Sequence, residues 1–378
     1  MRILFCTPAP LMKSLGAAKV VVELAEEMQE LGWDCDLVSI RDLADQSGLS
    51  MSESLRRYLQ EHATDYDVVD YDHSFLPYLR ADFPSQTLFV ARSVLLAHHF
   101  AEIAIPTSRG WKQSGRHLFL GRAEMRARDK RIQYAHHTVQ EADIVNVCNE
   151  DDSAELIRCG IPSERIVLIP FGISRSRRPL FDAVSSASPI NPVVAFVGTF
   201  DYRKGAQEFP ALVEEVLRAV PETRFRLLGT AGMFATADAV LAHFPERLQR
   251  NVEVVPKFHP DELPSLLASC SVGVFPSYIE GMPFGVLEML AASVPVIAYD
   301  APGPPMMLPP ECLVPRGDTI AMGDKVLALL ADANKLQAAR EWAQRHSQQF
   351  RWERVAQTTS DVYSRHLEMK RRQTLSLH

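Results

Sequence analysis

Short apolar runs of strand length alternate with amphipathic stretches of helical period along this chain, and that alternation restricts it to a parallel α/β architecture. Ile3 to Thr7, Asp36 to Ile40, Val68-Val69, Leu88 to Ala91, Ile144 to Cys148 and Ile166 to Ile169 read as strands. Gly16 to Gly32 reads as a helix, with Val20, Val21, Leu24, Ala25, Met28 and Leu31 on one face. The pattern restarts at Val193 to Gly198, passes through a helix from about Ala206 to Val220, and continues with strands at Phe225 to Leu228, Val252 to Val255, Val272 to Phe275 and Pro295 to Ala298. The expectation is two doubly wound, Rossmann-like domains, 1–175 and 193–350, facing each other across a cleft. Between them Arg175, Arg177 and Arg178 stand among serines and prolines with few apolar residues, so 176–192 is expected to be a solvated linker. The remainder, 351–378, carries one more amphipathic helix from Trp352 to about Met369.

Composition narrows the partners. At 378 residues the chain can bury two ordinary cores. A net charge of −7 argues against general nucleic-acid affinity, which leaves a basic footprint. The six cysteines, Cys6, Cys35, Cys148, Cys159, Cys270 and Cys312, show no CxxC pairing and predict reduced thiols in a cytoplasmic protein. Met1 to Cys6 is too short for a signal-peptide core, and the apolar stretch Val286 to Tyr299 is broken by Glu288 and Pro295. Any membrane contact is therefore expected at the surface.

The chemistry concentrates between Ser277 and Pro305. Glu280 and Glu288 stand eight positions apart around a turn that opens a helix. Gly281 and Gly285 leave room for backbone N–H groups to approach a ligand, and a helix start favours bound phosphate. A carboxylate at each end then suits hydroxyls. A sugar nucleotide has this layout, with sugar hydroxyls, a central diphosphate and ribose hydroxyls. Any surface helix start also attracts Glu and Gly, so the whole string carries more weight than any one residue. Val294 to Ala298 reads as a buried strand after the helix, and Asp300 to Pro305 as a loop at its carboxyl end.

This string resembles the retaining glycosyltransferases of family 4, also called glycosyl transferases group 1. Their E-x₇-E motif, helix and buried "PVIA" strand are matched by Glu280, Glu288 and Val294 to Ala298. A second stretch, Val197 to Gly205, is similar to the family's G-R-x₄-K-G pattern through Gly198, Lys204 and Gly205, with Thr199 where the family has arginine. A third, starting at Gly16, is similar to the family's GGxxxxxxxLAxxLxxxGH segment, with Ala17 replacing the second glycine. The resemblance implies a GT-B fold and transfer of a sugar from a nucleoside-diphosphate donor, with retention, to an unknown acceptor, which could be glycan, lipid or small molecule. It implies that Glu288 binds ribose, that Glu280 binds the donor sugar, and that Met282, Pro283, Phe284 and Gly285 line sugar and phosphate. Lys204, with Arg203 as substitute for the missing arginine, would bind the diphosphate, and Gly16 would approach the donor. It also implies that the last helix crosses back to the first domain.

The acceptor side is less marked. The family carries a first-domain histidine after a strand like Leu88 to Ala91; here His98 is the first candidate for a general base, with His99 and His73 as alternatives, and each also reads as structural. A leaving phosphate that takes the acceptor proton would make such a base dispensable. Asp70 and Asp72 form a D-x-D, but no metal or cofactor is expected. Arg109 to Arg131 is a basic island that fits either a solvated helix, with Glu124 and Asp129 as partners, or peripheral contact with an anionic inner-membrane surface. No H-E-x-x-H, G-x-x-x-x-G-K-[ST] or G-x-S-x-G occurs. The competing readings are a catalytically silent GT-B relative that binds a sugar nucleotide or a protein partner, and a GT-B sugar-nucleotide epimerase.

Overall fold

A computed structural model describes residues 1–11, 16–106, 116–184 and 192–375. The chain divides into two compact units, one of Met1–Glu102, Trp111–Gly172 and Arg351–His378, the other of Ile103–Gly110 and Ile173–Phe350.

The first unit is built on six parallel strands: β1 (Arg2–Thr7), β2 (Asp34–Ser39), β3 (Val68–Asp72), β4 (Leu88–Arg92), β5 (Ile144–Val147) and β6 (Ile166–Leu168), in the order β2-β1-β3-β4-β5-β6. Ile3, Leu4 and Phe5 are successive and all fully buried, as a strand covered on both faces requires. The helix Gly16–Glu30 lays Val20, Leu24 and Met28 into this core. Leu31, expected on the same face, is instead 42% exposed. The helix ends at Glu30, two residues before the expected Gly32, and Gly32 at φ 84° turns the chain away toward β2.

The helix Trp352–Leu375 belongs to this first unit. Trp352 is buried, donates from Nε1 to Glu23 Oε2 at 2.6 Å, and stacks on Phe171. Further along, Tyr363 reaches three strands at once. Its hydroxyl donates to Asp70 Oδ2 on β3 at 2.6 Å and accepts from Arg92 on β4 at 3.0 Å and Asn146 on β5 at 3.1 Å. Arg92 and Asp70 are also a buried ion pair, 2.6 Å from NH2 to Oδ2. Asp70, one half of the D-x-D, is thereby committed to a guanidinium.

The second unit repeats the plan with β7 (Val193–Val197), β8 (Arg224–Leu228), β9 (Val252–Val255), β10 (Val272–Phe275), β11 (Val296–Tyr299) and β12 (Leu313–Val314). Their order, β12-β11-β10-β7-β8-β9, is the 3-2-1-4-5-6 arrangement of dinucleotide-binding sheets. β12 has two residues, too few to leave a pattern in the sequence. Strand order reverses between β7 and β10, the topological switch point at whose strand carboxyl ends open α/β sheets place ligands.

The expected solvated linker is corrected over its first part. Arg178–Asp182 is a helix, Phe181 is buried, and Arg177 is buried as well. An arginine within serines and prolines reads as solvated from composition alone; here a distant carboxylate pulls it inward. Residues 185–191 lie outside the described residues. Among the described residues, no helix is long and apolar enough to cross a membrane.

If the Tyr363 hydroxyl ties the last helix to the sheet, Tyr363→Phe should cost about 1–3 kcal/mol in urea unfolding. Asp70→Ala should cost more, about 3–5 kcal/mol, because it leaves Arg92 charged and buried. Equal stability of Tyr363→Phe and wild type would show that the packing of the ring suffices.

Candidate functional site

The loop leaving β7 is shaped by one aspartate. Asp201 Oδ2 accepts from Thr199 Oγ1 at 2.6 Å, and Oδ1 accepts from the Lys204 N–H at 3.0 Å, capping a single 3₁₀ turn, Tyr202–Lys204. The turn closes on Gly205, at φ 79°, where a Cβ would stand 2.3 Å from the carbonyl oxygen of Pro276. Only glycine lets this loop lie against the loop leaving β10. Arg203 and Lys204, adjacent in sequence, would point apart in an extended loop; the capped turn aims both the same way.

Both converge on Glu280. Its Oε1 accepts from Arg203 NH1 at 2.8 Å, Lys204 Nζ at 2.8 Å and Ser277 Oγ at 2.6 Å. Arg203 NH1 also donates to the Ile279 carbonyl at 2.7 Å, and Lys204 Nζ lies 5.1 Å from the centre of the Phe275 ring. Burial alone would push the Glu280 carboxyl up; the charges of Arg203 and Lys204 and the bonds from Lys204 and Ser277 outweigh it and bring it down to about 2. The Glu280 N–H donates to the Pro302 carbonyl at 3.0 Å, so the loop after β11 closes the cluster.

Next, the chain turns into the helix Phe284–Ala291, with Gly281, Met282 and Pro283 buried and Phe284 and Gly285 half-buried. Packing alone requires a glycine at 285. A Cβ there would stand 2.2 Å from the Val197 carbonyl oxygen, so the helix could not rest on the end of β7. Glu288 does not join the Glu280 cluster. Its Oε1 accepts from Arg177 NH1 at 2.8 Å, with side-chain exposures of 8% for the arginine and 11% for the glutamate.

In the first unit, Gly16 opens the helix after β1. His98 follows β4 and is buried, its Nε2 3.4 Å from His136 Nδ1. Burial first, then the neighbouring His73 and His136, push it down to about 4, so it is neutral at pH 7. His99 is buried against Asp152 at 2.8 Å. His73 is buried too; its Nε2 accepts from the Ala97 N–H at 3.1 Å, which leaves the proton on Nδ1, and burial pushes it down to about 3. In the basic island, Arg109 and Lys112 lie outside the described residues, and the side chains of Arg116 and Arg122 are not described. Arg126, Arg128, Lys130 and Arg131 are exposed on the helix Arg116–Glu141, where Arg128 pairs with Asp129.

Four participants were missed. Asp201, Ser277 and Arg177 lack any local signal, since each works through a partner brought near by folding. Thr199 was noted only as a departure, yet its hydroxyl helps hold the aspartate that orients Lys204.

Comparison with known proteins agrees with this geometry. Residues 191–332 match the family model described as glycosyl transferases group 1. The chain is 27% identical over 240 residues to the D-inositol 3-phosphate glycosyltransferase of Nocardia farcinica, which covers 60% of this chain and 53% of that protein. It is 25% identical over 244 residues to O-antigen chain mannosyltransferase B of Escherichia coli, covering 60% and 62%. The matches to the inositol phosphate enzymes span about half of their length. Among solved structures, the sucrose-phosphate synthase of Thermosynechococcus elongatus superposes with a TM-score of 0.72 at 18% identity, covering 97% of this chain and 99% of that one. HepE of Anabaena in complex with UDP superposes at 0.66 with 16% identity, covering 96% and 100%. The fold of this chain is therefore GT-B.

The Glu280 cluster has a measurable signature. A carboxylate held near 2, against an ordinary 4.5, adds stability that is fully present above pH 4.5 and is lost as pH falls toward 2. The thermal midpoint of wild type should therefore fall more steeply between pH 5 and pH 2 than that of Glu280→Gln. Parallel curves would contradict the cluster.

Proposed function

Given that residues 191–332 match the family model of glycosyl transferases group 1, we propose that the chain is a retaining glycosyltransferase that uses a nucleoside-diphosphate sugar. The observation that carries this reading is the convergence of Arg203, Lys204 and Ser277 on the Glu280 carboxylate, at the carboxyl ends of β7 and β10, where strand order reverses. Two cations held beside one carboxylate, at the carboxyl ends of the strands, suit a ligand that carries both phosphates and hydroxyls. HepE, of the same fold, is known in complex with UDP and with UDP-glucose, which supports the ligand class.

In this reading the donor diphosphate takes over Lys204 and Arg203, and Glu280 turns from cations to sugar hydroxyls. The bond between the sugar's anomeric carbon and the phosphate oxygen breaks. The bond to the acceptor oxygen forms on the same face, and the acceptor proton passes to the departing phosphate. Lys204 and Arg203 stabilise the charge that develops on that phosphate. Phe284, at the start of the helix, and the backbone from Met282 to Gly285 face the sugar and phosphate, and Glu288 takes the ribose hydroxyls. Thr199 does not weigh against turnover, because Arg203 supplies a cation beside Lys204 and the Thr199 hydroxyl helps hold the Asp201 that caps their turn. His98, buried and neutral, is not needed as a base.

The test is a thermal-shift screen of wild type and Lys204→Ala against UDP, GDP and ADP and their sugars, followed by turnover with the nucleotide class that binds. Stabilisation by about 2–4 kcal/mol is expected at 100–1,000 times Kd for one class in wild type, and much less in the variant. Turnover should fall by about 100-fold or more in Lys204→Ala and Glu280→Ala, and by less than about tenfold in His98→Ala. No shift with any nucleotide would overturn the reading in favour of a silent relative.

A further inference from the structure

Arg177 lies 111 positions before Glu288 in the sequence, in a segment that composition assigns to solvent, yet it is buried and paired with that glutamate. Its backbone N–H donates to the Ser174 carbonyl at 3.1 Å, and its guanidinium lies 5.4 Å from the centre of the buried Phe181 ring. From there NH1 donates to Glu288 Oε1 at 2.8 Å, and NH2 donates to the Pro260 carbonyl at 3.0 Å. Pro260 stands in the connection that follows β9, so one planar group joins that connection to the helix Phe284–Ala291. The Arg177 Nε–H is buried and has no hydrogen-bond partner among the described residues. A donor in this state calls for an acceptor that the described residues do not supply.

We propose that Arg177 is a positioning residue for the nucleotide's ribose: it holds the Glu288 carboxylate charged and fixed in rotation, and so sets the preference for a ribose with both hydroxyls. This rests on the reading of Glu288 as the ribose-binding carboxylate. The physical argument has two parts. A carboxylate as buried as Glu288 stays ionised at little cost only beside a countercharge. An ionised, oriented carboxylate accepts from hydroxyls about twice as strongly as a neutral group does, so selectivity for the diol depends on the arginine even if the arginine never touches it. Only a forked guanidinium can hold Glu288 and the Pro260 carbonyl together, which makes lysine a poor replacement.

The experiment is calorimetric titration of wild type, Arg177→Met and Arg177→Lys with UDP, GDP and ADP and with their 2′,3′-dideoxy counterparts. Wild type should prefer the ribose form of its nucleotide by about tenfold or more, the worth of charge-assisted hydrogen bonds. Arg177→Met should cut that preference to about threefold or less while affinity for the dideoxy form stays within about twofold, and Arg177→Lys should fall between. A merely structural arginine would weaken both forms alike, and that result, or an undiminished preference in Arg177→Met, would overturn the proposal. Should Arg177→Met fail to fold, by circular dichroism, full preference retained in Arg177→Lys would overturn it equally. Wild type that binds nucleotide with no ribose preference would refute this inference and leave the donor site standing. Wild type that binds no nucleotide would refute both.

Discussion

One buried carboxylate, Glu280, organises the second unit's functional end. A carboxylate withdrawn from water needs compensation, and Arg203, Lys204 and Ser277 all deliver it to the same oxygen. That demand brings the loop after β7 against the loop after β10, and the contact is so close that Gly205 has no room for a side chain. The helix that follows presses on the end of β7 through Gly285 for the same reason. Strand order, loop geometry and charge therefore converge on one place, where two cations are held beside one carboxylate.

The first unit solves a different problem. Its six parallel strands are closed over by a helix from the far end of the chain, which is held by Trp352 on Glu23 and by Tyr363 across β3, β4 and β5. His73, His98 and His99 are drawn inward, and burial keeps His73 and His98 neutral. A neutral, buried histidine suits a framework better than a proton relay that must exchange with solvent. That fits chemistry in which the departing phosphate carries the proton.

Much of this was legible from periodicity. Eleven of the strands leave apolar runs, and Glu280, Glu288 and Lys204 stand out because motif spacing reflects local geometry that the chain builds within a few residues. What was not legible was long-range or cooperative. Arg177 looked solvated because composition describes its neighbours in sequence, whereas Glu288 is its neighbour in space. That Arg203 and Lys204 point the same way was not legible, because the capping by Asp201, itself held by Thr199, turns on two hydrogen bonds that no pattern records. Leu31 was misplaced because the helix is two residues shorter than its apolar period suggests, and β12 was too short to see.

The central claim is that the cations on Glu280 are held for a donor diphosphate. A crystal structure of the protein with the nucleoside-diphosphate sugar that stabilises it tests this most directly. The account predicts Lys204 Nζ and the Arg203 guanidinium within hydrogen-bonding distance of phosphate oxygens, with the Glu280 carboxylate on the sugar. A nucleotide bound elsewhere, with all three donors still on Glu280 Oε1, would contradict it.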